Sequence, residues 1–141
     1  MKNNYSKTRR AVFNLTVHMV FVTKYRLCVF DVDMLHRLEE VFNSVCKSWD
    51  SELLEFNGEQ DHVHLLVSYP PQKLLSSLIA NLKATSSKTM WREFENIMKS
   101  KFWSKKVLWT GSYFVASCGG VTIEQLKKYV QNQERPDSSQ R

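Results

Sequence analysis

Hydrophobic and polar positions along the chain change period several times, and each change marks an element. From Val12 to Tyr25, β-branched and aromatic residues dominate (Val12, Phe13, Leu15, Val17, Met19, Val20, Phe21, Val22), the pattern of a strand. Asp31-Val32-Asp33 supplies N-cap chemistry, after which Met34, Leu35, Leu38, Val41, Phe42 and Val45 recur at helical spacing to about Trp49. Glu52 to Gly58 reads as a second strand and His62 to Tyr69 as a third. The short spacer between them implies an antiparallel hairpin, and Pro70-Pro71 stops the third strand. A long helix follows from Leu74 to about Phe94, with Leu74, Leu75, Leu78, Ile79, Leu82 and Met90 inward. Ser112 to Ser117 is a fourth strand. Thr122 and Gln125 then form a capping box that opens a last helix through Leu126, Tyr129 and Val130 to about Gln133, with Pro136 preventing its continuation.

The order is β-α-β-β-α-β plus a C-terminal helix carrying Tyr129. That is the ferredoxin-like plan: an α+β fold with a four-stranded antiparallel sheet and its two helices on one face. The chain reads as a single domain over 1–141, with about 134–141 a disordered tail. The plan hosts many activities and decides none of them.

Composition narrows the setting. In 141 residues, 43% are hydrophobic, enough for a packed core. Twenty Lys and Arg against 14 Asp and Glu give a net charge of +6, which fits a polyanionic partner without requiring one. Cys28, Cys46 and Cys118 have no C-x-x-C spacing, so they read as small core hydrophobes in a reducing, cytoplasmic compartment. No apolar run has the length of a membrane span, and the N-terminus lacks the apolar core of a secretion signal.

The candidate chemistry centres on Asp61-His62-Val63-His64-Leu65-Leu66-Val67. Side chains alternate along a strand, so His62 and His64 share a face and can grip one metal ion. By the same parity Asp61 should face the other way and take no part. His18 reads as a structural histidine of the first strand, outside the site. Tyr129 and Gln133, at i and i+4, stack on one helix face. Two imidazoles and an amide leave a divalent ion its full charge for a phosphodiester, and Tyr129 can attack the phosphorus, leaving a phosphotyrosine bond and a free 3′-hydroxyl. Basic residues supply candidate DNA contacts. Lys83, Lys88 and Arg92 lie among small hydroxyl side chains, a pattern that suits either a phosphate backbone or an ordinary solvated helix. Between Lys99 and Lys106, Lys101, Lys105 and Lys106 interleave with Phe102 and Trp103, as suits single-stranded nucleic acid; alternatively, the tryptophans of this stretch plug the core. Arg10 ends a polar terminus that is either solvated or a basic arm.

The motif His62-Val63-His64 resembles the histidine–hydrophobe–histidine signature of HUH enzymes. Leu126-Lys127-Lys128-Tyr129-Val130-Gln131-Asn132-Gln133 is similar to the tyrosine helix of IS200/IS605-family single-tyrosine transposases. Tyr113 to Ala116, Gly119 to Thr122, and Thr23-Lys24-Tyr25-Arg26 are similar to that family as well. The resemblance implies a transposase that cuts single-stranded DNA beside hairpins and rejoins it. In it Tyr129 is the nucleophile, His62, His64 and Gln133 are the ligands, and Mg²⁺ or Mn²⁺ is the cofactor. It implies a homodimer in which the tyrosine helix of one chain can complete the site of the other, with Gly119 and Gly120 as the hinge. Two other readings are a non-catalytic nucleic-acid module of the RNA-recognition kind, which stacks bases on sheet aromatics, and a replication-initiation or relaxase nuclease, which also pairs two histidines with tyrosine.

Overall fold

A computed structural model describes residues 15–117 and 128–132. Its four strands are β1 (Leu15–Val22), β2 (Glu52–Gly58), β3 (His62–Tyr69) and β4 (Phe114–Ser117), and its helices are α1 (Val32–Ser48), α2 (Leu75–Glu93) and α3 (Glu95–Lys101). The strands form one sheet in the order β2-β3-β1-β4, every pairing antiparallel. This is the ferredoxin-like arrangement expected from the element order.

Strand parity divides the sheet into a packed face and a second face. Val17, Met19 and Phe21 of β1 and Val63, Leu65 and Val67 of β3 enter the main core with α1 and α2. The alternate residues of β1, Val20 and Val22, belong to a separate small cluster. β2 departs from simple alternation. Leu53 and Phe56 are three apart yet both pack on the main core, because a bulge lies between Leu53 and Glu55 in the pairing with β3. The extra residue resets the parity, so Glu55 and Asn57 join the second face.

The helices form where capping and periodicity coincide. The Asp31 carboxylate accepts the Met34 N–H at 2.8 Å and opens α1. Met34, Leu38, Val41, Phe42 and Val45 then point inward. On α2 the buried stripe is Leu78, Ile79, Leu82, Ser86, Thr89, Met90 and Trp91. Ser86 and Thr89 hydroxyls return to the carbonyls of Leu82 and Thr85 at 2.7 and 2.9 Å. These two hydroxyls therefore serve the interior and are withdrawn from any phosphate. The helical pattern also continues past Phe94, where the backbone leaves the helical region and starts the separate short α3. Met98 of α3 is buried, so the basic stretch starts on a helix docked to the core.

Trp109 fills the space between sheet and helices. Its ring lies 5.7 Å from Phe21, 5.5 Å from Phe30 and 6.5 Å from Phe42, and its indole N–H donates to the Ser86 hydroxyl at 2.9 Å. Of the two tryptophans in or next to the basic stretch, Trp109 plugs the core while Trp103 stays 85% exposed. Cys46 is a core residue whose thiol is pushed up to about 12 by burial. Cys28 is exposed, unlike the core position expected for it. No helix among the described residues is long and apolar enough to cross a membrane. Trp109→Ala is expected to lower stability by about 3–5 kcal/mol in urea unfolding; a loss below about 1 kcal/mol would show that the indole is not a core element.

Candidate active site

His62 and His64 lie on the sheet face away from α1 and α2, with ring centroids 4.9 Å apart. Pairing register explains the neighbourhood. Directly paired residues of adjacent strands point to the same face, and Asn57, His64, Val20 and Phe114 form one such row across all four strands. Glu55, Leu66, His18 and Ala116 form another. Together these rows wall an open cavity of about 820 Å³ lined by His18, Arg26, Glu55, Asn57, Glu59, His62 and His64, with Val130 and Gln131 on its rim. His18 therefore belongs to the site's surroundings. Sequence reasoning set it aside as a lone strand histidine, although its even spacing from Val20 and Val22 already gave it the second face.

The expectation for Asp61 is overturned. It sits just before β3, where strand parity does not apply, and is 7% exposed. One carboxylate oxygen lies 2.8 Å from His62 Nδ1 and the other accepts Arg26 Nε–H at 3.0 Å. Burial works to raise the Asp61 carboxyl, but the hydrogen bonds and charges of His62 and Arg26 outweigh it and hold the group below its ordinary value. An ionised Asp61 accepts a proton-bearing Nδ1 from His62, which leaves the His62 Nε2 lone pair for a ligand. Arg26 is the other residue missed. It lies in a tight turn, Lys24–Arg26, where Tyr25 and Arg26 both take the left-handed backbone conformation (φ 60° and 55°). Hydrophobic periodicity carries no signal for such a turn.

His64 is pushed below its ordinary pKa by burial first and then by neighbouring His62 and His18, with Glu59 opposing. It is thus a neutral imidazole near pH 7. Two imidazoles side by side on a concave polar wall suit a divalent cation. Among the described residues no third His, Cys, Asp or Glu joins them in a metal-binding group, so any further donor is of another kind or lies elsewhere. Gln133, the expected amide ligand, is outside the described residues, as are Gly119, Gly120 and Arg10.

Residues 128–131 form a helical turn closed by the Asn132 N–H on the Lys128 carbonyl at 3.0 Å. Val130 seats this turn on Val20 and Val22. The Tyr129 ring packs against Phe114 with centroids 5.2 Å apart. Burial raises the Tyr129 hydroxyl above its ordinary pKa, and a hydrogen bond with Ser112 works the other way. Phe114 and His64 both pair with Val20, so Tyr129 rests over a point about two strand spacings, roughly 10 Å, from the His64 backbone. The tyrosine and the histidines share a sheet face.

The candidate DNA contacts fare differently. Lys83 is half-buried; its ammonium donates to the Thr110 carbonyl at 2.7 Å and lies over the Tyr113 ring. It ties α2 to the approach to β4. Lys88 is exposed, and Arg92 is exposed beside Glu93. Lys101, Lys105 and Lys106 are exposed, with Lys106 placed over Trp91. The aromatic signature of an RNA-recognition sheet is missing from the described second face, where Phe114 is covered by Tyr129.

The His64 shift has a consequence for stability. The unfolded chain protonates this imidazole near 6.5, whereas the folded protein resists protonation. Stability is therefore fully present above that pH and is lost as pH falls through the depressed folded value. In chelator, the wild-type protein should unfold more readily at about pH 5.5 than at about pH 7.5, and His64→Gln should narrow that difference. An identical pH dependence in the variant would contradict the assignment.

Comparison with known proteins identifies the family. Residues 11–133 match the family model described as IS200-like transposase. The ISDra2 transposase TnpA of Deinococcus radiodurans is 28% identical over 127 residues, covering 90% of this chain and 89% of that protein. The transposase for insertion sequence element IS200 of Salmonella typhimurium is 27% identical over 125 residues, covering 89% and 80%. A crystal structure of a Deinococcus radiodurans transposase superposes with a TM-score of 0.84 at 28% identity, covering 93% of this chain and 99% of that one. A REP-associated tyrosine transposase bound to a REP hairpin shares the fold, with a TM-score of 0.55 at 13% identity, covering 89% and 68%. The family model spans nearly the whole chain, both histidines and the tyrosine turn included, and the chain belongs to the IS200-like transposase family.

Proposed function

We propose that this transposase cleaves and rejoins single-stranded DNA beside hairpins, with Tyr129 as nucleophile and His62 and His64, together with Gln133, as ligands for Mg²⁺ or Mn²⁺. The observation that carries the reading is the His62–His64 pair, ring centroids 4.9 Å apart, on the wall of an open cavity that the turn bearing Tyr129 also lines. A structural neighbour bound to a REP hairpin supports a hairpin partner. When bound, the divalent ion would neutralise charge building on the phosphate oxygens.

The chain's own residues account for the remaining steps. Asp61 orients His62 through Nδ1, and Arg26 keeps Asp61 ionised. The Tyr129 oxygen attacks phosphorus, the bond from phosphorus to the 3′-oxygen breaks, and the departing strand leaves as a 3′-hydroxyl. The tyrosine proton passes to water. Rejoining reverses the exchange: a 3′-hydroxyl attacks the phosphotyrosine and Tyr129 regains its proton. A hydroxyl sheltered against Phe114 is a poor nucleophile, so the turn bearing Tyr129 leaves that packing and enters a histidine cavity, either its own or that of a second copy. A homodimer with exchanged tyrosine helices, hinged at Gly119 and Gly120, suits this requirement. A cytoplasmic site of action accords with a DNA substrate.

Incubation with hairpin-bearing single strands and Mn²⁺ should yield a covalent adduct that survives denaturing electrophoresis. Tyr129→Phe should abolish the adduct while hairpin affinity stays within about threefold; adducts in the variant would exclude Tyr129. His64→Ala should remove metal-dependent cleavage, and full activity without His64 would remove the metal site. Asp61→Ala should weaken Mn²⁺ binding roughly 10- to 100-fold by calorimetry. Unchanged affinity would reduce Asp61 to a packing residue.

A further inference from the structure

The Lys24–Arg26 turn has two sides, and the site described so far uses only one. Arg26 reaches Asp61 and the histidine cavity. Tyr25, its neighbour, is 46% exposed and lines a different hollow of about 510 Å³. The opposite wall of that hollow is the loop after α3, with Lys101, Trp103 and Lys105; Phe102 and Val107 also line it. Its charged lining is entirely cationic: Lys24, Lys101 and Lys105. Trp103, at 85% exposed, lends its ring to the hollow rather than to the core. The volume falls within the roughly 300–1,000 Å³ typical of pockets that seat small organic groups.

The two walls are fastened to each other. The Lys24 N–H donates to the Leu108 carbonyl at 2.7 Å, and Thr23 forms a bridge with Trp109. The Thr23 hydroxyl donates to the Leu27 carbonyl at 2.7 Å. These bonds hold Tyr25 and Arg26 in a backbone conformation that non-glycine residues rarely adopt. Strain of this kind persists where surrounding structure enforces it, and it clusters at ligand sites. The effect here is to direct two successive side chains into two different hollows.

We propose that this second hollow is a docking site for single-stranded DNA, in which Trp103 and Tyr25 stack on unpaired bases while Lys24, Lys101 and Lys105 hold the flanking phosphates. Charge selects a polyanion, and exposed aromatic faces select one whose bases are free to unstack. A duplex stem offers phosphates but no base faces. A strand seated here continues across the Tyr25–Arg26 turn into the histidine cavity, so the hollow holds nucleotides neighbouring the bond to be cut. This rests on the reading of the chain as a single-strand transposase and adds a defined site to it.

Affinity is measured for two probes: a hairpin oligonucleotide with a single-stranded dT flank, and the same hairpin without the flank. Trp103→Ala should weaken binding of the flanked probe about 10-fold or more and leave the bare hairpin unchanged. Trp103→Phe should restore most of the loss. Binding of the flanked probe should quench wild-type tryptophan fluorescence, with the quench lost in Trp103→Ala. Replacing both Lys101 and Lys105 by Ala should reduce the salt slope for the flanked probe by about two contacts. Because Trp103 is so exposed, its replacement leaves the fold intact, which a thermal melt checks. Equal affinity of wild type and Trp103→Ala for the flanked probe, or an equal loss on both probes, would overturn the proposal. Wild-type adduct formation is scored on the same flanked probe. Adducts together with unaltered Trp103→Ala binding reject the hollow alone, whereas binding changes as expected without any adduct reject the Tyr129 chemistry alone.

Discussion

The parity of two antiparallel strands is the constraint on which the rest depends. β1 and β3 each send alternate residues into a core closed by α1 and α2. The intervening residues have to face the other way, and on β3 these include His62, His64 and Leu66. A one-residue slip would bury both imidazoles in the core and push Val63 and Leu65 outward, at several kcal/mol of lost burial. The hydrophobic core thus fixes the register of the chemistry without contributing an atom to it. The same parity brings His18 to the cavity and provides Val20 and Val22 as the seat for Val130.

A second constraint operates at the strand's entrance. Asp61 lies where β3 begins and connects to elements on two sides: its carboxylate to His62 and Arg26, and its carbonyl to the N–H of Thr23 at 3.0 Å. The orientation of one imidazole is thereby tied to the Lys24–Arg26 turn. That turn is tied in turn to the loop carrying Trp109. The chain connects a buried aromatic of the core to the edge of the candidate active site in a few hydrogen bonds. Tyr129 differs in kind. It meets the sheet through apolar packing, its own ring on Phe114 and Val130 on Val20 and Val22.

Much of this was legible in the sequence because it follows from periodicity. β3 begins at His62 and ends at Tyr69, α1 begins after Asp31, and the sheet order follows from the element order. What was not legible depends on contacts between distant segments. Asp61 was assigned by strand parity to the wrong face, since parity cannot describe a residue one position outside the strand. Arg26 gave no periodicity signal, and the family likeness of Thr23-Lys24-Tyr25-Arg26 assigned it no role. Lys83 carries the same charge as Lys105, yet one is spent on the Thr110 carbonyl while the other lines an open groove. Only the packing of α2 against the 107–113 segment separates them. Ser86 and Thr89 were among the hydroxyls left open between a phosphate-facing and a solvated helix surface, and they are buried, an outcome their helical phase relative to Leu82 and Met90 already contained.

The central claim is that this sheet face works on DNA through Tyr129. Its most direct test is peptide mapping by mass spectrometry of the covalent adduct formed on a hairpin-bearing single strand in Mn²⁺. The account predicts one modified peptide, spanning Lys128 to Gln133, with the 5′-phosphate of the cleaved strand on the Tyr129 oxygen. A nucleotide found instead on Tyr113 or Tyr25, or cleavage with no protein-bound nucleotide at all, would contradict it.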